Sequence, residues 1–183
     1  MKILNKTISI FVILAGLLVA KPLVASETNS LSPQSASLPA ELENLLTNAD
    51  TFTLFSINPD NYFYHKSTNT FQGYVILGQL DVKSVETRTK LIADLDDGIR
   101  QVAKSEAGGL YISTGCFNPR HGIRAKKGDN SVELLICFEC GQIEIHSNDG
   151  KSWHFSIPAG VGPKPADVFN NVLKDADVPL PAN

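Results

Sequence analysis

The chain has 183 residues, of which 43% are hydrophobic and 19% charged, and its formal net charge is −3. This length and hydrophobic content suit one domain with its own core. Collagen-like and low-complexity classes are excluded because the 13 glycines and 10 prolines follow no period. The acidic balance also argues against a general nucleic-acid binder, which would carry a basic surface.

Residues 1–26 have the pattern of a signal peptide. Lys2 and Lys6 precede an apolar run over 8–20, and small residues around Ala25 offer a cleavage site. As a helix this run covers about 20 Å, short of the roughly 30 Å of a hydrocarbon core, which disfavours the alternative of an uncleaved anchor. We therefore expect an exported protein, in the periplasm or outside the cell, with no membrane span after cleavage.

The chain after the leader is predicted to hold one domain. Residues 27–37 are polar, rich in serine and without periodicity, so we expect a flexible tether there. A single domain over 38–183 would follow. Its first predicted elements are a short amphipathic helix over 39–49 and strands over 51–57 and 73–82.

The longest helix is predicted over 85–105, with Ser84 as its N-cap and Gly108 and Gly109 after its end. Short β-rich runs and a last amphipathic helix follow. The runs are 110–114, 121–126, 132–138, 142–147 and 153–157. This order of elements predicts an α+β fold, with a mostly antiparallel sheet of four to six strands and helices packed on one face.

A hairpin register brings the cysteines of the chain together. The chain has three of them within 25 residues: Cys116, Cys137 and Cys140. When Lys126 pairs with Ser131 across the turn between two predicted strands, His121 faces Ile136. Three sulfurs and one imidazole should therefore converge at one end of this hairpin.

This convergence is compatible with three chemistries. Thiolates and an imidazole are ligands that zinc prefers, so the corner could be a metal site with zinc as its cofactor. The ligands of that site would be Cys116, His121, Cys137 and Cys140. Export instead favours a structural disulfide, for which the register makes Cys116 and Cys140 the candidates.

The third chemistry is thiol exchange by the Cys-x-x-Cys pair of Cys137 and Cys140. It is disfavoured because strand sequence follows the pair, whereas such motifs usually open a helix. In a straight strand these two positions point to opposite faces, so a metal site that includes both requires a turn at 138–140.

Other signals are weaker. Arg120 and Arg124 could bind an anion together, although arginines on exposed strands are usually solvated. The sequence has no Gly-x-Ser-x-Gly, no His-Glu-x-x-His, no phosphate-binding loop and no dinucleotide motif. We single out no catalytic residue, and enzymatic activity is less expected without being excluded.

Two stretches around the cysteines resemble a family of small bacterial proteins of unknown function. They are Cys-Phe-Asn-Pro-Arg-His-Gly-Ile-Arg over 116–124 and Leu-Leu-Ile-Cys-Phe-Glu-Cys over 134–140. The similarity extends over roughly 70–183. The resemblance implies that the Cys/His corner is the signature of the family and that the compartment is a bacterial periplasm or the cell exterior. It implies no activity.

The sequence therefore predicts an exported, non-enzymatic binding or structural module whose Cys/His corner is either stapled by a disulfide or holds a metal. The alternative is a periplasmic thiol-disulfide oxidoreductase that uses Cys137 and Cys140. A third hypothesis is an envelope interaction protein whose cysteines are merely structural. The expected partner is an envelope protein or a small ligand, and no nucleic acid is expected.

Overall fold

The computed structural model describes residues 36–61, 69–106, 116–159 and 165–181, which belong to one compact unit. The predicted signal peptide, almost all of the tether, the glycines after the long helix and the strand 110–114 lie outside these residues. None of the helices in the described ranges is long and apolar enough to cross a membrane.

Three α-helices and seven β-strands make up the described fold, with a short 3-10 turn at Pro59–Asn61. The helices are α1 (Ala40–Thr47), α2 (Val85–Glu106) and α3 (Pro165–Lys174). The strands are β1 (Thr51–Asn58), β2 (Thr70–Phe71), β3 (Tyr74–Asp81), β4 (His121–Lys127), β5 (Asn130–Cys137), β6 (Gln142–Ser147) and β7 (Ser152–Ser156). At α2 the predicted cap is confirmed, because the N–H of Thr87 donates to Oγ of Ser84 at 3.2 Å.

All seven strands form one antiparallel sheet in the order β2-β3-β1-β4-β5-β6-β7. The predicted α+β class is confirmed, but the predicted number of four to six strands is wrong. The prediction missed β2, which forms because Gln72 and Gly73 both adopt positive φ and fold Phe71 back against Tyr74. Two residues are too few for an alternating pattern to be recognised in the sequence.

The helices and one face of the sheet share a continuous apolar layer. Each helix contributes side chains to this layer, and so do β1 and β4–β7. Leu46 of α1, Leu95 of α2, Phe169 of α3 and Leu134 of β5 are all fully buried in it. Most of the hydrophobic stabilisation of the fold therefore comes from this side of the sheet.

A second, smaller apolar cluster lies on the opposite face, near β2. The rings of Phe55 and Phe71 stack there with centroids 4.5 Å apart, next to Leu135. A Cβ added at Gly122 would collide with the ring of Phe71. Because β3 and β1 lie between β2 and β4 in the sheet, this close approach requires the sheet to curl at that end.

The β4–β5 hairpin adopts the predicted register, with Lys126 opposite Ser131 and His121 opposite Ile136. Backbone hydrogen bonds of Arg120 join the segment just before β4 to both neighbouring strands. The N–H of Ile57 donates to the Arg120 carbonyl at 3.0 Å, and the N–H of Arg120 donates to the Ile136 carbonyl at 3.2 Å. This anchoring holds residues 116–120 beside the end of β5.

Candidate functional site

The three cysteines meet at the end of the β4–β5 hairpin, as the register predicts. Cys137 and Cys140 form a disulfide with their Cα atoms 5.2 Å apart, a separation typical of such bonds. Cys116 lies outside this disulfide and is exposed. Its Sγ is nevertheless 2.7 Å from Sγ of Cys140, so the three sulfur atoms form one cluster, which we call the sulfur cluster.

The disulfide joins a different pair from the predicted Cys116 and Cys140. The ladder of β5 ends at Cys137, and residues 138–141 form a turn in which Gly141 has a φ of 70°. Glycine adopts this left-handed conformation at little cost. The turn folds Cys140 back over Cys137, whereas the prediction continued the straight register past the end of the strand.

Backbone N–H groups donate to both sulfurs of the disulfide. The N–H of Cys140 donates to Sγ of Cys137 at 3.0 Å, and the N–H of Asn118 donates to Sγ of Cys140 at 3.4 Å. Such donors stabilise a sulfur that carries negative charge. Each sulfur of the disulfide therefore has a backbone donor of its own.

The two predicted anion-binding arginines each face a carboxylate. Nη2 of Arg120 is 3.3 Å from Oε2 of Glu139, which lies in the turn between the two disulfide cysteines. Arg124 donates from Nε to Glu133 at 2.5 Å, and its guanidinium lies 5.3 Å from the ring centroid of Phe71. Each guanidinium therefore has an acidic partner of its own, and joint binding of an anion by the two stays a prediction.

His121 and Cys137 lie on opposite faces of the sheet. It shares the helix-covered face with Ile123, whereas Cys137 shares the other face with Leu135, because side chains alternate along each strand. In the described part of the chain, no group of three or more His, Cys, Asp or Glu residues is arranged to hold a metal ion. The four predicted zinc ligands are therefore not assembled as one set.

The imidazole of His121 is buried between aromatic rings and one amide. Its centroid is 5.4 Å from that of Phe138 and 5.7 Å from that of Phe169. Nε2 lies 2.9 Å from Oδ1 of Asn170, so Nε2 donates and Nδ1 carries the lone pair. Burial lowers the pKa of His121 to about 4, against a smaller upward effect of the bond to Asn170. The ring is uncharged at neutral pH.

Ser56 lies directly opposite His121 on the neighbouring strand. The backbone hydrogen bond joins the neighbouring residues Ile57 and Arg120, so Ser56 and His121 form a non-hydrogen-bonded pair of the antiparallel ladder. In such pairs the two side chains lie closest together. Oγ of Ser56 and Nδ1 of His121 are both buried, and neither has a partner among the described residues. No motif in the sequence indicates this pair, or its link to Asn170, because only strand pairing and helix packing create them.

A cavity of about 420 Å³ lies between α1 and the ends of the strands. Its lining includes the apolar side chains of Leu42, Val132 and Trp153 and the charged side chains of Lys127 and Lys151. The volume falls within the range of small-ligand sites, but most of the lining residues are polar, whereas such sites are usually lined by apolar side chains. The cavity is separate from the sulfur cluster, because no cysteine lines it.

Comparisons of the chain with protein-family models, with curated proteins and with solved structures found no match.

Proposed function

We propose that this protein is an exported thiol-disulfide exchange protein in which Cys137 and Cys140 are the redox-active pair. One observation carries the proposal: Sγ of Cys116 lies 2.7 Å from Sγ of Cys140, which is already joined to Cys137. A disulfide that only staples a fold requires two sulfurs. A third sulfur in contact with it is a nucleophile placed for thiol-disulfide exchange.

The length of the closed loop also favours exchange over a staple. Cys137 and Cys140 are three positions apart, and a bridge over so short a loop restricts the unfolded chain by only about 2 kcal/mol. A bridge between Cys116 and Cys140 would span 24 positions and contribute roughly 3.5 kcal/mol in the same chain-entropy treatment. The observed disulfide therefore stabilises the fold less than a disulfide between Cys116 and Cys140 would.

The surroundings of the pair can support the chemistry without a helix. Cys-x-x-Cys motifs commonly gain thiolate stability from the N-terminus of a following helix, but here β6 follows. The N–H groups of Cys140 and Asn118 supply donors to the two sulfurs instead. An oxidising compartment, which the predicted signal peptide would provide, keeps such a pair oxidised between reactions.

The test is whether the protein accelerates exchange between reduced glutathione and a disulfide-bridged model peptide. We expect wild type to raise the rate at least tenfold over the uncatalysed reaction and the double variant Cys137→Ser/Cys140→Ser to give no increase. Circular dichroism of the double variant checks that it is folded. Equal rates for wild type and a folded double variant would contradict the proposal.

A second candidate, a disulfide-stapled binding module, is favoured by the cavity beside α1. Trp153 and the charged groups of its lining, where Lys151 pairs with Glu41 and Asp149, could hold a small ligand with both apolar and polar groups. This candidate predicts that binding survives loss of the disulfide. A screen of small polar ligands by thermal shift, run on wild type and on Cys137→Ser/Cys140→Ser, would favour it if both proteins are stabilised by the same ligand. A wild type that no ligand in the screen stabilises would count against it.

A further inference from the structure

We propose that Cys116 is the sulfur that reacts with the partner and that Cys140 transfers the disulfide inward to Cys137. This inference rests on the proposed exchange function, and it adds the route of the reaction and the class of its substrate. The substrate would be an accessible disulfide, either in an exported polypeptide or in a small molecule.

Exposure of the three sulfurs determines where a partner can react. Cys137 is 1% exposed and Cys140 is fully buried, whereas Cys116 is exposed. Exchange requires the attacking and leaving sulfurs to approach the central sulfur in line, which a partner cannot do at a buried atom. A partner in solution can therefore form a mixed disulfide with Cys116 and with neither buried sulfur.

The position of Cys116 is set by the residues that follow it. Phe117 packs against the second apolar cluster, Pro119 is buried, and Arg120 bonds to the strands on both sides. These contacts fix the start of the segment at the end of β5. Cys116 thus stays next to Cys140 in the folded protein, which raises the effective concentration of its thiol at that sulfur.

A small thiol such as glutathione first reduces the Cys137–Cys140 disulfide by the reverse of the steps below, two thiols being oxidised to one disulfide. The reaction of the reduced protein with a substrate disulfide then balances in three exchanges. The Cys116 thiolate attacks the substrate, forming a mixed disulfide and releasing one substrate thiol. The Cys140 thiolate attacks the sulfur of Cys116, forming a bond between Cys116 and Cys140 and releasing the second substrate thiol. The Cys137 thiolate attacks Cys140, forming the buried disulfide and returning Cys116 as a thiolate. The substrate gains two electrons and two protons, and the protein loses them.

The charges beside the sulfur cluster affect which substrates react fastest. Arg120 and Glu139 lie there as a pair of opposite sign, so their charges largely cancel. We therefore expect neutral, acidic and basic substrate disulfides to react at similar rates. Accessibility of the substrate disulfide, rather than its charge, should decide whether it reacts.

A matched pair of variants tests the route without any assay of turnover. Cys137→Ser and Cys140→Ser each remove one buried sulfur of the same disulfide, but only Cys137→Ser leaves two sulfurs that the route connects. After mild oxidation with glutathione disulfide, we expect Cys137→Ser to lose about 2 Da as an internal disulfide forms, and Cys140→Ser to remain a dithiol or carry glutathione on Cys116. Internal disulfides in both variants, or in neither, would overturn the assignment of Cys140.

The role of Cys116 is tested by the rate at which reduced glutathione opens the native disulfide. We expect Cys116→Ser to slow this reaction at least tenfold under native conditions. In denaturant, where the buried sulfurs become accessible, wild type and the variant should be reduced at the same rate. Equal native rates would overturn the route while leaving exchange by Cys137 and Cys140 intact. A wild-type disulfide that resists glutathione until the protein unfolds would contradict both proposals.

The two sources of substrate are separated with reduced Cys140→Ser, in which the thiol that would release the substrate is absent and the mixed disulfide persists. Glutathione disulfide and a protein with an exposed disulfide are offered in turn, and the mixed disulfide on Cys116 is mapped by peptic digestion in acid, where exchange stops. A mixed disulfide on Cys116 with either substrate supports the route and identifies its source. A mixed disulfide on Cys137, or none on Cys116 with either substrate, would overturn it.

Discussion

On the helix-covered side of the β4–β5 hairpin, His121 lies among Phe138, Phe169 and Asn170, with its ring held uncharged by burial. At the end of the same hairpin, Cys116 is exposed and contacts a sulfur that already accepts a backbone N–H. The two sites lie close together along the chain, yet His121 is buried and Cys116 is exposed to solvent. Both sites carry side chains that are capable of chemistry, but burial leaves only the sulfur cluster accessible to solvent.

The comparison also separates two kinds of polar group in this protein. One nitrogen of the buried imidazole is satisfied and the other has no partner among the described residues, a state that lowers stability by the desolvation of the unpaired atom. The sulfurs of the disulfide instead have donors that would stabilise negative charge. The buried His121 site therefore affects the free energy of folding, whereas the sulfur cluster is the site of the exchange reaction that we propose.

The largest expected effect follows from removing the aromatic packing that buries His121. Phe169 is fully buried and contacts the rings of His121 and Phe138. We expect Phe169→Ala to lower the free energy of unfolding by about 3–5 kcal/mol, through lost burial and the cavity that remains. Urea denaturation measures this, with the half-buried Val168→Ala in the same helix as the matched control at under about 1.5 kcal/mol. If both variants lose a similar free energy of unfolding, α3 does not bury this site through Phe169.

The second effect is acid destabilisation through His121. Its pKa is about 4 in the folded protein and near 6.5 in the unfolded chain, so the unfolded state binds more protons between these values. Stability should therefore be complete above pH 6.5 and fall by roughly 3 kcal/mol as pH drops to 4. Because carboxylates also titrate in this range, the measured quantity is the difference between wild type and His121→Gln across pH 7 to 4. If the difference in stability between wild type and His121→Gln stays constant from pH 7 to 4, folding does not lower the pKa of His121.

The third effect lies on the other face, where Gly122 meets Phe71. A methyl group at Gly122 would overlap the ring, so we expect Gly122→Ala to cost about 1–3 kcal/mol by overpacking. The double variant Gly122→Ala/Phe71→Leu should lose less than the two single variants together, since a smaller side chain relieves the overlap. Additive losses in chemical denaturation would argue against the curl of the sheet at this end.

The smallest effect is at Ser56. Its hydroxyl is buried without a partner among the described residues, so Ser56→Ala removes an unsatisfied group and little packing. We expect stability to stay within about 0.5 kcal/mol of wild type or to rise slightly. A loss above about 1 kcal/mol in thermal or urea unfolding would reveal a hydrogen bond from Ser56 that is made in solution.

Much of the fold can be predicted because it depends on local patterns. The turn residues after Lys127, together with alternating apolar positions on both sides, fix the β4–β5 register to the residue. The spacing of apolar side chains and Ser84 fix the start of α2. The edge strand β2 was missed because its two residues carry no period, and the turn beside it is stabilised by packing of Phe71 across the sheet.

The candidate site could be predicted only in part. The sequence places three sulfurs at one end of a hairpin, because cysteine positions and strand register are both local properties. The choice of disulfide depends on the path of a four-residue turn, which the ladder does not determine beyond Cys137. The exclusion of His121 from the sulfurs follows from which face the helices cover, a property of the whole domain.

By itself, the sequence determined the α+β class, the hairpin register and the meeting of Cys116, Cys137 and Cys140, since periodicity and turn chemistry act between near neighbours. Only the tertiary structure decided that Cys140 bonds to Cys137, that Cys116 alone among the three is exposed, and that His121 is dehydrated beneath α3. Those outcomes depend on which surfaces exclude water, and burial is set by segments that are distant in the chain.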